Sequence, residues 1–197
     1  MLDFIKQQLF PYFYARKVNG FLDRRYRKIS KYNVSIDKES DTLKLIENIE
    51  KEIAVQIERK NKLEDKAKSV LFIITLSITT ITFLLSYSKD NSDEILSLIL
   101  LSLSVIFFIT AGIQAISTLN VRRFHIIQQV IAENGEYLTI SEIKKDDKYL
   151  KDITKAKFLN DIITTKISNS IFSAFILIRN GLVLYLSFFI SIIFSNY

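Results

Sequence analysis

The chain contains no cysteine, which excludes disulfides, thiolate nucleophiles and zinc–sulfur sites and leaves the redox compartment unread. A single histidine, His125, excludes imidazole clusters. With Pro 1 and Gly 4 in 197 residues there are few places for turns, so the composition predicts an all-α chain of long, uninterrupted helices. There is no nucleophile–base pair, no phosphate-cradling glycine loop and no metal-ligand spacing. The expectation is therefore a protein that is not an enzyme and needs no cofactor.

Charge is also missing, from three long stretches. Although 49% of the residues are apolar and 24% charged, averages that would suit a soluble protein, the two kinds are segregated into blocks. Ser69–Ser88 is uncharged between Lys68 and Lys89, and its 20 residues cover about 30 Å of helix, the thickness of a bilayer's hydrocarbon. Ile95–Val121 is uncharged between Glu94 and Arg122, with its spanning part at 95–117. Only residues 89–94 separate these two blocks, so they form a tight antiparallel hairpin. The third block, 169–197, is interrupted by Arg179. Read as one helix starting near Asn169, it carries Arg179 about 15 Å into the bilayer, beyond easy snorkelling; with the interface near Ser173, Arg179 is shallow. Both depths fit the sequence.

Orientation follows the basic residues. Residues 1–68 hold 16 Lys and Arg, 118–169 hold nine, and 89–94 hold one. Basic flanks stay cytoplasmic, so the N-terminus is inside and the C-terminus outside, with Tyr87 and Tyr197 at the outer interface. The expected organisation is a basic, aromatic N-terminal region with a long helix over 1–68, a membrane hairpin over 69–121, a cytosolic helical connection over 122–168 and a third span over 169–197. Met1–Phe13 is interrupted by Asp3, Lys6 and Pro11 and does not read as a cleaved signal peptide.

Between the blocks, Leu43, Ile46, Ile49, Ile53 and Ile57 recur at helical spacing, predicting a helix from about Lys38 that enters the first span unbroken and has an apolar face in need of a partner. The second span is expected to continue as helix over Val121–Ala132, then turn at Asn134-Gly135, with a short extended stretch at Glu136–Ile140 and a cap at Ser141. Leu150, Ile153, Phe158, Ile162 and Ile163 predict a further helix over Asp147–Lys166 leading into the third span.

Within the spans, Thr75, Thr79, Thr82 and Ser86 form one hydroxyl stripe, and Ser173, Asn180 and Ser187 recur every seven residues, as do Ser97 and Ser104. Such stripes pack helices together or bond back to the helix backbone. In an oligomer they also line a water-accessible path, which one slim three-helix protomer cannot enclose. Thr75, Thr79, Thr82, Ser86, Ser173, Asn180 and Ser187 with Arg179 make the candidate pore or inter-helix face, and no acidic residue lies in any span to neutralise Arg179. Arg16, Lys17, Arg24, Arg25, Arg27 and Lys28 suit anionic lipid headgroups. Nucleic acid is not expected, since no recognition helix or stacking platform is present. Arg122, Arg123 and His125 read as interfacial anchors. Asp146 and Asp147 sit among Lys144, Lys145, Lys148 and Lys151, the mixed charge of a solvated face.

Two stretches resemble a known family. Leu63-Glu64-Asp65-Lys66-Ala67-Lys68-Ser69-Val70-Leu71 resembles the Asp-Lys-Ala approach to an apolar run in Pycsar-type transmembrane effectors of bacterial anti-phage systems, with Asp65, Lys66 and Ala67 the matching positions. Asn160 and Lys166, followed by Ser170 and Ala174, resemble the lysine-bearing helix that runs into the last membrane segment of those proteins. Cytosolic helix, two-span hairpin, cytosolic helices and further membrane contact together also look like the SLATT effectors of nucleotide-signalled defence. The resemblance covers residues 50–195. It implies an effector of the bacterial inner membrane that homo-oligomerises or opens when a cyclic-nucleotide signal or a soluble protein partner arrives, so that the membrane loses its integrity. The other reading is a non-transporting anchor whose helix 40–66 docks a soluble partner.

Overall fold

The computed structural model describes residues 7–31, 42–87, 95–120 and 147–195, all helical except Phe10 and Asn120. After a helical turn at 7–9 come α1 (Pro11–Lys31), α2 (Thr42–Tyr87), α3 (Ile95–Leu119) and α4 (Asp147–Ser195). The expected turn at Asn134-Gly135, the extended stretch at Glu136–Ile140, the cap at Ser141, the helix over Val121–Ala132 and Arg122, Arg123, His125 and Asp146 lie outside the described residues, as do Lys38, the 89–94 connection and Tyr197.

Local chemistry accounts for these elements. Pro11 opens α1, where its missing N–H costs nothing and its fixed φ suits a helix, and the Phe10 carbonyl accepts the first bond from Tyr14 N at 3.2 Å. Nothing between Thr42 and Tyr87 is Gly or Pro, so α2 runs 46 residues without interruption. α4 runs 49 residues and tolerates Gly181 because that glycine is closely packed.

The helices are shared between two compact units. One holds 19–31 of α1, 42–62 of α2 and 147–167 of α4 among the described residues. Its core is Ile46, Ile49, Leu150 and Ile153, with Leu45, Ile53 and Tyr149 packed around them. Here the apolar stripe read from the sequence finds its partner, and the partner is α4. Glu50 meets Tyr149, Glu52 pairs with Lys157, and Gln56 Nε2 donates to the Lys157 carbonyl at 3.3 Å. Residue numbers rise together along the two helices, so they run parallel. Asp23 of α1 accepts from Lys166 Nζ at 2.6 Å.

The Tyr149 hydroxyl donates to Glu50 Oε1 at 2.9 Å. Burial first, then the bond to the Glu50 carboxylate and its charge, push the phenol from 10.0 up to about 12. Because the fold favours the protonated phenol, its contribution is complete below 10 and is lost as pH climbs towards 12. Tyr149→Phe is accordingly expected to lower stability by about 1 kcal/mol at neutral pH, the worth of such a bond, and to remove part of the alkaline loss. Helix melting of both proteins from pH 9 upward checks it: parallel curves would show that Tyr149 is uncoupled.

The other unit holds 7–18, 63–87 with 95–120, and 168–195 among the described residues. α2, α3 and α4 are the three helices long and apolar enough to cross a membrane, which makes the chain a multi-pass membrane protein. Phe72, Phe83, Ile106, Phe172 and Val183 in this unit are exposed. So broad an apolar surface is costly in water and ordinary in lipid.

Candidate functional site

Helix register sets the level of every polar group in the membrane unit. Ser97 hydrogen-bonds Ser191, and Ser104 Oγ donates to the Gly181 carbonyl at 2.9 Å. Numbers rising along α3 fall along α4, so the two are antiparallel. Gly181 also lies against Phe108, which is fully buried: a methyl group there would meet the ring at 3.0–3.3 Å. Gly112 of α3 faces Ile74 of α2. These contacts put Gly181 opposite Ser104 and Phe108, in the middle of α3.

Arg179 follows from this. α3 has no charge along Ile95–Leu119, so a bilayer crossed by it has its midplane near Phe108. Arg179 is two residues from Gly181 and shares that level. The packing thus sets Arg179 level with the middle of α3.

Its partners come from the N-terminal segment, which the sequence pattern did not connect to the third span. Arg179 Nη2 donates to Gln8 Oε1 at 2.9 Å and to Asn180 Oδ1 at 3.0 Å, and Nε donates to Asn180 Oδ1 at 3.2 Å. Asn180 Nδ2 donates to the Gln8 carbonyl at 2.9 Å. Gln8 thus ties both residues through its side chain and its backbone. The guanidinium is nonetheless exposed, and its Nη1 bonds to no described residue. Both acceptors are neutral amide oxygens, so they orient the charge without cancelling it.

Below this cluster the chain after Gln8 lies against α4. Gln7, Pro11, Tyr14, Ala15 and Val18 enclose, with Asn169, Phe172, Ser173 and Ile176, a cavity of ≈ 20 Å³, about the volume one water needs. Ser173 is buried there, and its hydroxyl has no partner among the described residues. Leu9, Phe10, Phe13 and Tyr14 point outward. The signal available in the sequence was Pro11, Ala15, Val18 and Leu22, a stripe of small or apolar residues at helical spacing that turns inward.

The remaining candidates divide. Ser173 and Asn180 face the N-terminal segment. Thr75, Thr79 and Thr82 are exposed, while Ala67, Val70, Ile74 and Ile81 form the inward side of α2. Each of the three hydroxyls bonds the carbonyl four residues back at 2.9–3.0 Å. Ser187 is likewise exposed and bonds Val183 O at 2.9 Å. The Ser86 side chain lies outside the described residues. Among the described residues of this unit, Ser97 and Ser104 of α3 use their hydroxyls between helices. Arg16, Lys17, Arg24, Arg25, Arg27 and Lys28 are all exposed on α1.

At the positions of the resemblance, Ala67 is fully buried, Asp65 pairs with Lys68 at 2.9 Å, Lys166 holds Asp23, and Asn160, Ser170 and Ala174 are buried. Comparison with protein-family models, with curated proteins and with solved structures finds no match.

Proposed function

We propose that this protein is a membrane effector: several copies assemble in the bacterial inner membrane and permeabilise it when a cytosolic signal arrives, in the manner the resemblance to anti-phage effectors implies. The observation that carries the reading is the exposed guanidinium of Arg179 level with the middle of α3. A charge at that depth is not stable against hydrocarbon, so it faces a further protein surface or water. The three threonines of α2, within about a turn or so of the same level, add hydroxyls that are tolerable in lipid because they are back-bonded, and they lie on the exposed side of α2. One protomer has no room for a channel, so assembly is part of the mechanism.

The basic face of α1 supports cytoplasmic headgroup contact, and the parallel helices of 42–62 and 147–167 offer the surface on which a cyclic nucleotide or a soluble partner acts. In the test, the protein is expressed in bacteria with and without its neighbouring genes, during phage challenge, while a potential-sensitive dye is followed. Collapse of the potential is expected with the wild type. Arg179→Ala, at equal expression, is expected to reduce the rate of collapse by about tenfold or more, since the charge at that level is part of the path. A steady potential and normal growth under every condition remove the reading and favour a non-transporting anchor, for which a stoichiometric soluble partner should co-purify.

A further inference from the structure

We infer that the Arg179 guanidinium is a binding site for a small inorganic anion in transit, so that the open assembly selects anions over cations; this rests on the permeabilising function proposed above. Arginine stays protonated at any physiological pH, and its five donors have no way of being silenced by proton loss. Three bonds, to Gln8 Oε1 and twice to Asn180 Oδ1, fix the plane of the guanidinium and leave Nη1 unengaged among the described residues. The amide oxygens carry no charge, and none of the described residues on α3 or on 168–195 of α4 is acidic. The site is therefore a preoriented cation with spare donors and an uncompensated charge.

Depth narrows the ligand. Lipid phosphates sit at the interfaces, about half a bilayer from the level of Phe108, so a headgroup does not reach Arg179 without deforming the membrane. A second copy presenting the same face brings another guanidinium, which repels. A mobile anion such as chloride answers both difficulties: it lowers the cost of holding the charge, and it meets a ring of like charges when copies assemble, the arrangement that favours anions in pores.

The test is a reversal-potential measurement on the full chain in planar bilayers, with a tenfold potassium chloride gradient. The expected result is reversal displaced towards the chloride equilibrium, reporting several-fold preference for chloride. Arg179→Lys keeps the charge and should keep the preference, whereas Arg179→Gln should abolish or invert it. Wild-type reversal at zero, or towards potassium, overturns the anion site while leaving permeabilisation intact, as does unchanged chloride preference in Arg179→Gln. If the wild type carries no current at any protein density, permeabilisation fails and the site in transit fails with it.

Discussion

Replacing Ile46 by Ala is expected to loosen the paired helices of 42–62 and 147–167 before anything in the membrane unit changes. Ile46 is fully buried and packs in one cluster with Ile49, Leu150 and Ile153. Truncating such a side chain removes its transfer energy and leaves a cavity, a loss of about 2–5 kcal/mol. Among the described residues the cluster joins these four buried side chains, with Leu45, Ile53 and Tyr149 packed around them. Ile46→Asp is more severe, since it buries a charge with nothing to pair it. Trypsin reads the outcome: Lys51, Arg59 and Lys62 are exposed but held in helix, and cleavage after them should accelerate many-fold in either variant. The exposed Val55→Ala serves as the control and should leave the rate unchanged. Equal protection in Ile46→Ala would mean that the cluster does not hold these helices together.

Gly181→Leu is expected to separate α3 from α4. A single methyl at this position already meets the Phe108 ring at 3.0 Å, and Phe108, being fully buried, has nowhere to retreat. The rest of a leucine side chain has to displace the ring or the helix, at a cost of about 3 kcal/mol or more. In lipid no hydrophobic force restores the contact, because helices associate there by close packing and hydrogen bonds, and the Ser104 bond to the Gly181 carbonyl is stretched at the same time. Cysteine pairs introduced at Ser97 and Ser191 report the outcome: ready oxidative cross-linking in the otherwise unchanged chain, and little in the Gly181→Leu chain. Phe108→Ala should restore part of the cross-linking by making room. Full cross-linking of Gly181→Leu alone would show that the close approach at this position is not needed.

Much of the framework was legible because hydrocarbon imposes a simple rule on sequence. A helix in lipid excludes charge and satisfies its own backbone, so uncharged runs of span length bounded by Lys, Glu and Arg mark themselves. The absence of Gly and Pro over Thr42–Tyr87 similarly announces one helix, and the isoleucines of 46–53 announce an apolar face. The partner of that face was not legible. A stripe declares what must be covered and is silent on what covers it, and Leu150 with Ile153 is one of several stripes that satisfy the same requirement.

The candidate site divides in the same way. Arg179 stood out as a lone charge in an apolar run, yet its depth was open, because depth depends on which residues of α3 lie opposite. Gln8 gave no signal at all. A glutamine before a proline, in a segment of mixed character, acquires meaning only when Asn180 and Arg179 are brought 171 or 172 residues along the chain to meet it. The threonine stripe shows the same limit: its spacing marks one helix face, but spacing carries no information on whether that face looks inward or out.

Sequence alone, then, marked the three long apolar helices and their fitness for a membrane, though not the helix over Pro11–Lys31, because each of these follows from interactions within a few neighbours along the chain and from the affinity of side chains for lipid. Tertiary structure alone decided the level of Arg179, its capture by Gln8 and the outward turn of Thr75, Thr79 and Thr82. Those depend on close contacts between segments far apart in the chain, where one small residue such as Gly181 sets the register that every other polar group inherits.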